Sequence, residues 1–298
     1  MPKQILITGA TGNVGVEVIR YLKNQDNNHT IIAGVRNIEK ARVLFREFSD
    51  LKYIFFDFED SATFNDALKN VDSVFLLRPP HISDVETYFR PLIEKLEEKS
   101  VREILFLSVQ GAEKSSVIPH NKIESLISEY SIDHIFLRPS YFMQNLTTIL
   151  YQDIREKGCI ILPAGRAAFN WIDVKNIGEA AAIMLTRFSE LKNQAYELTG
   201  YENANFHEVA ELINRAITGR VQYKNVNPVR FFWMKWSEGM SPGKIGVMIA
   251  LHFFPRFQQE PEMTDIYETL TGKKPTSLAE FIEREKDWFE FPDIQAKS

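Results

Sequence analysis

The sequence predicts an α/β fold: a doubly wound parallel sheet with helices on both faces, joined to a smaller, mostly helical C-terminal lobe. Three observations carry that expectation. An apolar run near the amino terminus breaks into evenly spaced glycines and resumes as an amphipathic helix. Short apolar runs then alternate with helical patterns through the first half of the chain. Further on, the alternation gives way to amphipathic helical stretches and a segment dense in aromatic residues.

The first element is Ile5-Leu6-Ile7, running into Thr8-Gly9-Ala10-Thr11-Gly12-Asn13-Val14-Gly15. Val14, Val18, Ile19 and Leu22 then share one helical face. This reads as a strand, a tight turn and a helix. Glycine accepts positive φ and lets a ligand's pyrophosphate approach the backbone. The helix start offers free N–H groups and the positive end of its dipole to the same anion. The spacing is G-x-x-G-x-x-G rather than the ordinary G-x-G-x-x-G. Its place between a strand and a helix supplies the context of a Rossmann-type dinucleotide site. Thr8, Gly9, Thr11, Gly12, Asn13, Val14 and Gly15 are therefore the expected cofactor cradle, with a plain strand-to-helix turn as the alternative.

Composition bounds the function. The chain has 298 residues, 44% hydrophobic and 25% charged, as in an ordinary soluble globular protein. A formal net charge of -5 with no dominant basic block argues against nucleic-acid binding. The single cysteine, Cys159, cannot close an internal disulfide and suits a reducing cytoplasm, as a filler in a strand. Met1-Pro2-Lys3-Gln4 passes straight into the first strand, so no signal peptide is expected. The longest apolar run, Gly246 to Pro255, is interrupted by His252 and too short to cross a bilayer, so no membrane partner is expected either.

Thr30 to Val35 reads as the second strand. In an NAD site an acidic residue about twenty positions beyond the glycines would hold the ribose 2′-OH. Arg36 stands there instead, with Lys40 one helical turn on. A guanidinium can bind a 2′-phosphate through two parallel hydrogen bonds, whereas an acid would repel it. NADPH is therefore favoured over NADH, although both residues are also what a solvated helix start carries. Lys52 to Asp57 is the third strand, where Asp57 either reaches the adenine amino group or begins the next turn. Val71 to Leu77 is the fourth, stopped by Arg78-Pro79-Pro80. A helix is expected over Ser83 to Lys99, then a fifth strand over Glu103 to Ser108. Ligands of such sheets bind beyond the carboxyl ends of the strands, which marks Leu77, Arg78, Ser108 and Arg138 to Phe142. The expected division is 1–150 for the dinucleotide domain, with 172–200 returning to it. The substrate lobe takes 151–171 and 201–298.

Ile7-Thr8-Gly9-Ala10-Thr11-Gly12-Asn13-Val14-Gly15, Val35-Arg36-Asn37, Leu137-Arg138-Pro139-Ser140-Tyr141-Phe142-Met143-Gln144-Asn145 and Trp171-Ile172-Asp173-Val174 follow one another in that order. The set resembles the NmrA-like branch of the atypical short-chain dehydrogenase/reductase superfamily, and within it NAD(P)H:quinone oxidoreductase-like members. The resemblance spans nearly the whole chain. It implies an NADPH-dependent transfer of hydride to a quinone, or else a non-catalytic NADP-binding regulator. Ketone-reducing members use a Ser with a Tyr-x-x-x-Lys pair on the helix after strand five. Ser108 fits the Ser position, but the helix reads Pro119-His120-Asn121-Lys122-Ile123-Glu124 and lacks the pair. On the helical wheel His120 and Glu124 share a flank, while Lys122 faces solvent. His120 is the candidate proton donor because imidazole titrates near neutrality; the alternative is a surface histidine beside Glu124. Ketone reduction makes an alkoxide that needs a positioned acid, whereas a hydroquinone anion spreads its charge over the ring.

Tyr141 and Phe142 are expected beside the nicotinamide. Gln110, Asn145, Phe169, Trp171 and Trp233 are expected beside the substrate, the aromatics by stacking on a flat ring. Core packing is the competing reading for Phe142, Met143 and Trp171. Asn205 to Glu208 and Ser277 to Glu280 spell capping boxes. The aromatic, glycine-punctuated segment from Asn225 to Phe257 reads as a hinged lid over an apolar pocket or as the core of a small helical lobe. No metal-ligand spacing or nucleophile elbow occurs, and a monomer or homodimer is expected.

Overall fold

The computed structural model describes residues 2–25 and 28–290. Its strands, in chain order, are β1 Gln4–Ile7, β2 Thr30–Val35, β3 Lys52–Phe55, β4 Ser73–Leu77, β5 Glu103–Leu107 and β6 Asp133–Pro139. After them come β7 Tyr141–Phe142, β8 Cys159–Leu162, β9 Phe169–Ile172, β10 Gln194–Leu198, β11 Asn203–Ala204 and β12 Gln222–Asn225. The chain folds as two compact units. The first takes the chain up to Pro139, Val174–Leu198 and Asp265–Lys273; the second takes Ser140–Asp173, Thr199–Thr264 and the chain from Lys274 onward.

The first unit is a seven-stranded sheet in the order β10-β6-β5-β4-β1-β2-β3, parallel throughout. With helices flanking it, its central strands are apolar on both sides, as Ile5-Leu6-Ile7 and Val74-Phe75-Leu76 are. The chain winds outward in opposite directions from β1, through β2 and β3 one way and through β4, β5 and β6 the other. The β1/β4 border is thus the topological switch point at which such sheets bind ligands. The Rossmann-type α/β class expected from the sequence is the one observed. Helix α1, Asn13–Asn24, buries Val14, Val18, Ile19 and Leu22. The helix Val174–Thr186 approaches it so closely that a Cβ at Gly178 would lie 2.5 Å from the Cβ of Glu17.

Several elements differ from expectation. The helix expected over Ser83 to Lys99 is two helices, Val85–Tyr88 and Arg90–Glu98. Pro91 sits in the first turn of the second, where its missing N–H costs nothing; inside one continuous helix it would break the ladder. β3 ends at Phe55, short of Asp57, β4 begins at Ser73, and β5 stops at Leu107. The division of the chain also differs. Residues from Ser140 to Leu150 belong to the second unit, and Asp265–Lys273 returns to the first. The returning segment is held by Tyr267, a buried ring whose hydroxyl donates to Glu179 at 2.6 Å.

The second unit holds β7, β9 and β11 as one small sheet and β8 with β12 as another. Around them stand helices, among them Phe206–Ala216, Pro228–Ser237, Pro242–Phe253 and Leu278–Arg284. Both spelled capping boxes form, at Asn205/Glu208 and Ser277/Glu280. Trp171, Phe206, Phe231, Ile245 and Phe281 share its core. Lys235 and Asp153 are also buried there, as an ion pair with Nζ 2.5 Å from Oδ2. Among the described residues no helix is long and apolar enough to cross a membrane.

Candidate functional site

The glycine turn leaves β1 with Gly9 at φ +60°, a conformation that favours glycine. Any side chain there would press on Leu77, whose Cδ2 lies 3.0 Å from the Cβ position. At Gly15 the constraint is absolute: a Cβ would sit 2.3 Å from the Gly9 carbonyl oxygen. Gly12 caps α1 without a side chain, its own N–H donating to Gly9 O at 2.9 Å. The amides of Asn13, Val14 and Gly15 are helix-end donors with no acceptor in the helix. Thr11, Gly12 and Asn13 are exposed. The turn is thus an outward-facing cradle of bare N–H groups at a helix's positive end.

Thr8 does something different from what its place in the motif suggests. Its buried hydroxyl donates to Phe75 O at 3.0 Å and accepts from Leu77 N–H at 2.9 Å. Both capacities are used in tying β1 to β4, so Thr8 shapes the cradle rather than touching a ligand with its side chain.

Arg36 follows β2 directly and is exposed, without a hydrogen bond or ion pair among the described residues. Asn37 caps the next helix by accepting from the Lys40 amide at 2.9 Å, which leaves the Lys40 side chain in solvent. Asp57 lies past the end of β3, and its Oδ1 accepts from Glu59 N–H at 3.1 Å. The turn-forming alternative is the one its carboxylate adopts.

Register aligns Leu77 with Leu107 and Leu107 with Leu137, which brings the ends of β4, β5 and β6 level. Arg78 and Ser108 stand just beyond β4 and β5, and Arg138 lies near the carboxyl end of β6. The Arg78 guanidinium is half-buried, with no carboxylate paired to it among the described residues. Its Nη1 donates to the carbonyls of Pro79 (3.1 Å), Pro80 (3.3 Å) and Ile82 (2.6 Å), and its Nε to His120 Nε2 at 3.4 Å. Burial pulls its pKa below the ordinary arginine value. His120 accepts at Nε2, which assigns its proton to Nδ1. Burial, with Arg78 beside it, holds the imidazole down at about 3. The expectation of near-neutral titration, and that of a surface histidine beside Glu124, are both corrected: His120 is a neutral ring facing a guanidinium.

Glu124 has another partner. It is buried and grips Arg138 through two parallel bonds, Nε to Oε1 at 3.0 Å and Nη2 to Oε2 at 2.6 Å, while Arg138 Nη1 reaches Glu113 at 2.6 Å. Arg138 is therefore already saturated with carboxylates. Lys122 is exposed, as the helical angle predicts. Ser108 differs from both arginines: its Oγ, like those of Ser73 and Ser140, is buried without a hydrogen-bond partner among the described residues. A buried hydroxyl without a partner is rare, and one at the carboxyl end of a central strand is where a ligand's polar atom would complete it. Gln110, half-buried, anchors its backbone by donating to Pro139 O at 2.9 Å.

The other expected contacts lie in the second unit. The Tyr141 hydroxyl pairs with His252 Nε2 at 2.9 Å and bonds to the Asn145 side chain, and its ring stands edge-on to Trp171 at 4.8 Å. Burial raises the Tyr141 pKa. Trp171 is fully buried with Nε1 donating to Ala204 O at 2.9 Å, and Phe169 is buried against Phe206 with centroids 5.2 Å apart. Neither ring presents a face to a substrate, because both complete the core; the stacking role expected for them is corrected. Phe142 is half-buried beside the core residue Met143. Trp233 is 57% exposed and packs on Trp236 at 5.0 Å, on the outer surface rather than in a pocket. A 590 Å³ cavity in this unit is lined by Arg166, His207, Arg256 and Glu260 among others, and by none of the expected substrate residues. No group of side chains able to hold a metal occurs among the described residues.

A family model described as the NmrA-like family matches residues 1–282. The chain belongs to the NmrA-like family. The NmrA-like chain is 30% identical to prestalk A differentiation protein A of Dictyostelium discoideum, over 93% of its own length and 90% of that protein. It is 28% identical to an NAD(P)H azoreductase of Xenophilus azovorans, over 93% and 96%. Its fold superposes on the NADPH complex of an NADPH-dependent quinone oxidoreductase from Escherichia coli with a TM-score of 0.84, at 23% identity, covering 94% of this chain and 99% of that one. In this NmrA-like chain, sequence reading passed over Glu113 and the Glu124–Arg138 pair. Partners fourteen residues apart on a helix and a strand leave no local signature, and only the position of Glu124 next to the inward Ile123 hinted at burial.

Proposed function

We propose that this NmrA-like protein is an NADPH-dependent oxidoreductase that delivers hydride to a quinone or a similarly flat acceptor. One observation carries the reading. The Gly9–Gly15 turn sets helix-end amides that lack intrahelical acceptors beside the exposed Thr11, Gly12 and Asn13, and its bare glycines keep the turn tight, an arrangement suited to close approach of an anion. NADPH, when bound, supplies the hydride from its nicotinamide ring.

The residues of this chain do the rest. The amides of Asn13, Val14 and Gly15 hold the pyrophosphate, and Arg36 with Lys40 holds the 2′-phosphate that distinguishes NADPH from NADH. Leu77 and Arg78 wall the switch point, and the unpartnered Ser108 hydroxyl donates to an acceptor oxygen. The class of acceptor follows from what the protein does not provide. No tyrosine in the chain is followed four positions later by lysine. His120, held down at about 3, carries no extra proton at neutral pH. Reduction of a simple ketone would leave an alkoxide without a strong acid, whereas a quinone or azo compound yields an anion that tolerates a weak donor or water. The names of the Xenophilus and Escherichia coli proteins support flat, easily reduced acceptors.

Steady-state oxidation of NADPH across a quinone panel tests the proposal. Turnover is expected; tight NADP(H) binding with no turnover would replace the enzyme by an NADP-binding regulator. Arg36→Ala should weaken NADPH binding about tenfold or more and leave NADH nearly unchanged, whereas equal losses would remove Arg36 from the 2′-phosphate. Ser108→Ala should lower kcat while cofactor affinity holds.

A further inference from the structure

Helix Pro242–Phe253 is apolar on two sides. Ile245 and Met248 enter the core of the second unit, with His252 buried beside them, while Val247 and Leu251 point outward, followed by Phe254. The preceding helix, Pro228–Ser237, is built the same way: Phe231 is in that core, and Val229, Trp233 and Trp236 are outside. With Phe257, these outer side chains are 45% to 73% exposed. Scattered surface apolar residues need no explanation, but seven exposed large apolar side chains within residues 229–257 are more than a soluble surface usually carries in one segment.

Charge decides what covers it. Arg230 and Lys244 are exposed on the same pair of helices. The one acid between Pro228 and Phe257 is Glu238, and it is already paired with Lys157 at 2.6 Å and Lys235 at 2.8 Å. In a chain of net charge -5 the unpaired charges within residues 228–257 are therefore cationic. A second copy would bring the same cations and, within residues 228–257, no unpaired carboxylate to meet them. Tryptophans with valine, leucine and phenylalanine, fringed by arginine and lysine, match the boundary of an anionic bilayer, where rings sit at headgroup depth and cations meet lipid phosphates.

We propose that the outer face of the 228–257 hairpin docks on the surface of an anionic lipid bilayer. The hairpin lies on the membrane and does not cross it, and the proposal stands independently of the redox reading.

The test mixes the full-length protein with vesicles of phosphatidylcholine and phosphatidylglycerol, and separately with vesicles of phosphatidylcholine alone, at low salt. Co-sedimentation with the anionic vesicles and a blue-shifted tryptophan emission are expected, with much weaker binding to the neutral ones. The triple variant Trp236→Ser/Leu251→Ser/Phe254→Ser should partition at least about tenfold less well. Should it fail to fold by circular dichroism, Arg230→Glu/Lys244→Glu, altering only exposed side chains, should abolish the preference for anionic lipid. Absence of co-sedimentation, or unchanged binding in the folded variants, overturns the proposal. So does a dimer in analytical ultracentrifugation that the triple variant dissociates while vesicles never bind, which would make a second copy the occupant.

Discussion

Helix α1 and helix Pro242–Phe253 are each twelve residues long, yet they answer to different surroundings. In α1 the apolar residues form one stripe, and Glu17, Arg20 and Lys23 sit off it. In Pro242–Phe253 apolar residues continue around the helix, and Lys244 is its only lysine or arginine. One stripe specifies one neighbour; a helix apolar all round specifies two, and among the described residues Val247 and Leu251 of this helix stay exposed. The glycines show the same contrast. Gly15 in α1 has backbone 2.3 Å from where a Cβ would be, whereas Gly246 has nothing within 4 Å.

The largest effect should separate the inner from the outer side of the hairpin. Phe231→Ala, which empties a fully buried position, should cost about 3–5 kcal/mol, while Trp233→Ala on the outside should stay within about 0.5 kcal/mol, both read from urea unfolding. Similar losses would mean that the outer face is covered in solution. Next, Gly15→Ala should cost about 1–3 kcal/mol by overpacking against Gly9 and weaken NADPH binding in calorimetry.

The inner side of the hairpin also carries a pH signature. His252 is a neutral ring with Nδ1 bonded to Met248 O at 2.7 Å and Nε2 to the Tyr141 hydroxyl. Burial lowers its pKa from 6.5 to about 4. The unfolded chain therefore binds the extra proton first as pH falls, so this contribution is whole above 6.5 and is lost between 6.5 and about 4. The loss should be on the order of 2 kcal/mol by about pH 5. Thermal unfolding should track that fall, His120 adding a like-signed share, and His252→Gln should flatten the curve. The smallest effect should be Gly246→Ala, which removes backbone freedom without a clash and should stabilise by about 0.5–1 kcal/mol.

Much of the first unit was legible because its signals are local. The strand-glycine-helix start, β2 over Thr30–Val35 and the helix at Pro119 are encoded by residues next to one another. The capping boxes at Asn205 and Ser277 are legible for the same reason. The carboxyl ends of β4, β5 and β6 could be marked as places to look, but not what each residue there does. Thr8 looks like a ligand contact in the motif and is consumed by β4, while His120 and Glu124 look like a pair on one flank and are claimed by different arginines. Likewise Trp171 and Trp233 are indistinguishable as letters, one being the centre of a core and the other an outer surface.

What the sequence by itself determined is the alternation of strands and helices in the first unit, the bare-amide turn and the missing acid after β2, because periodicity, glycine geometry and charge act within a few residues. Tertiary structure alone decided which side chains are buried, which polar groups find partners, and how the chain divides into two units. Those outcomes depend on contacts between residues far apart in the chain, where burial sets both the protonation of a histidine and the side of a helix that is left uncovered.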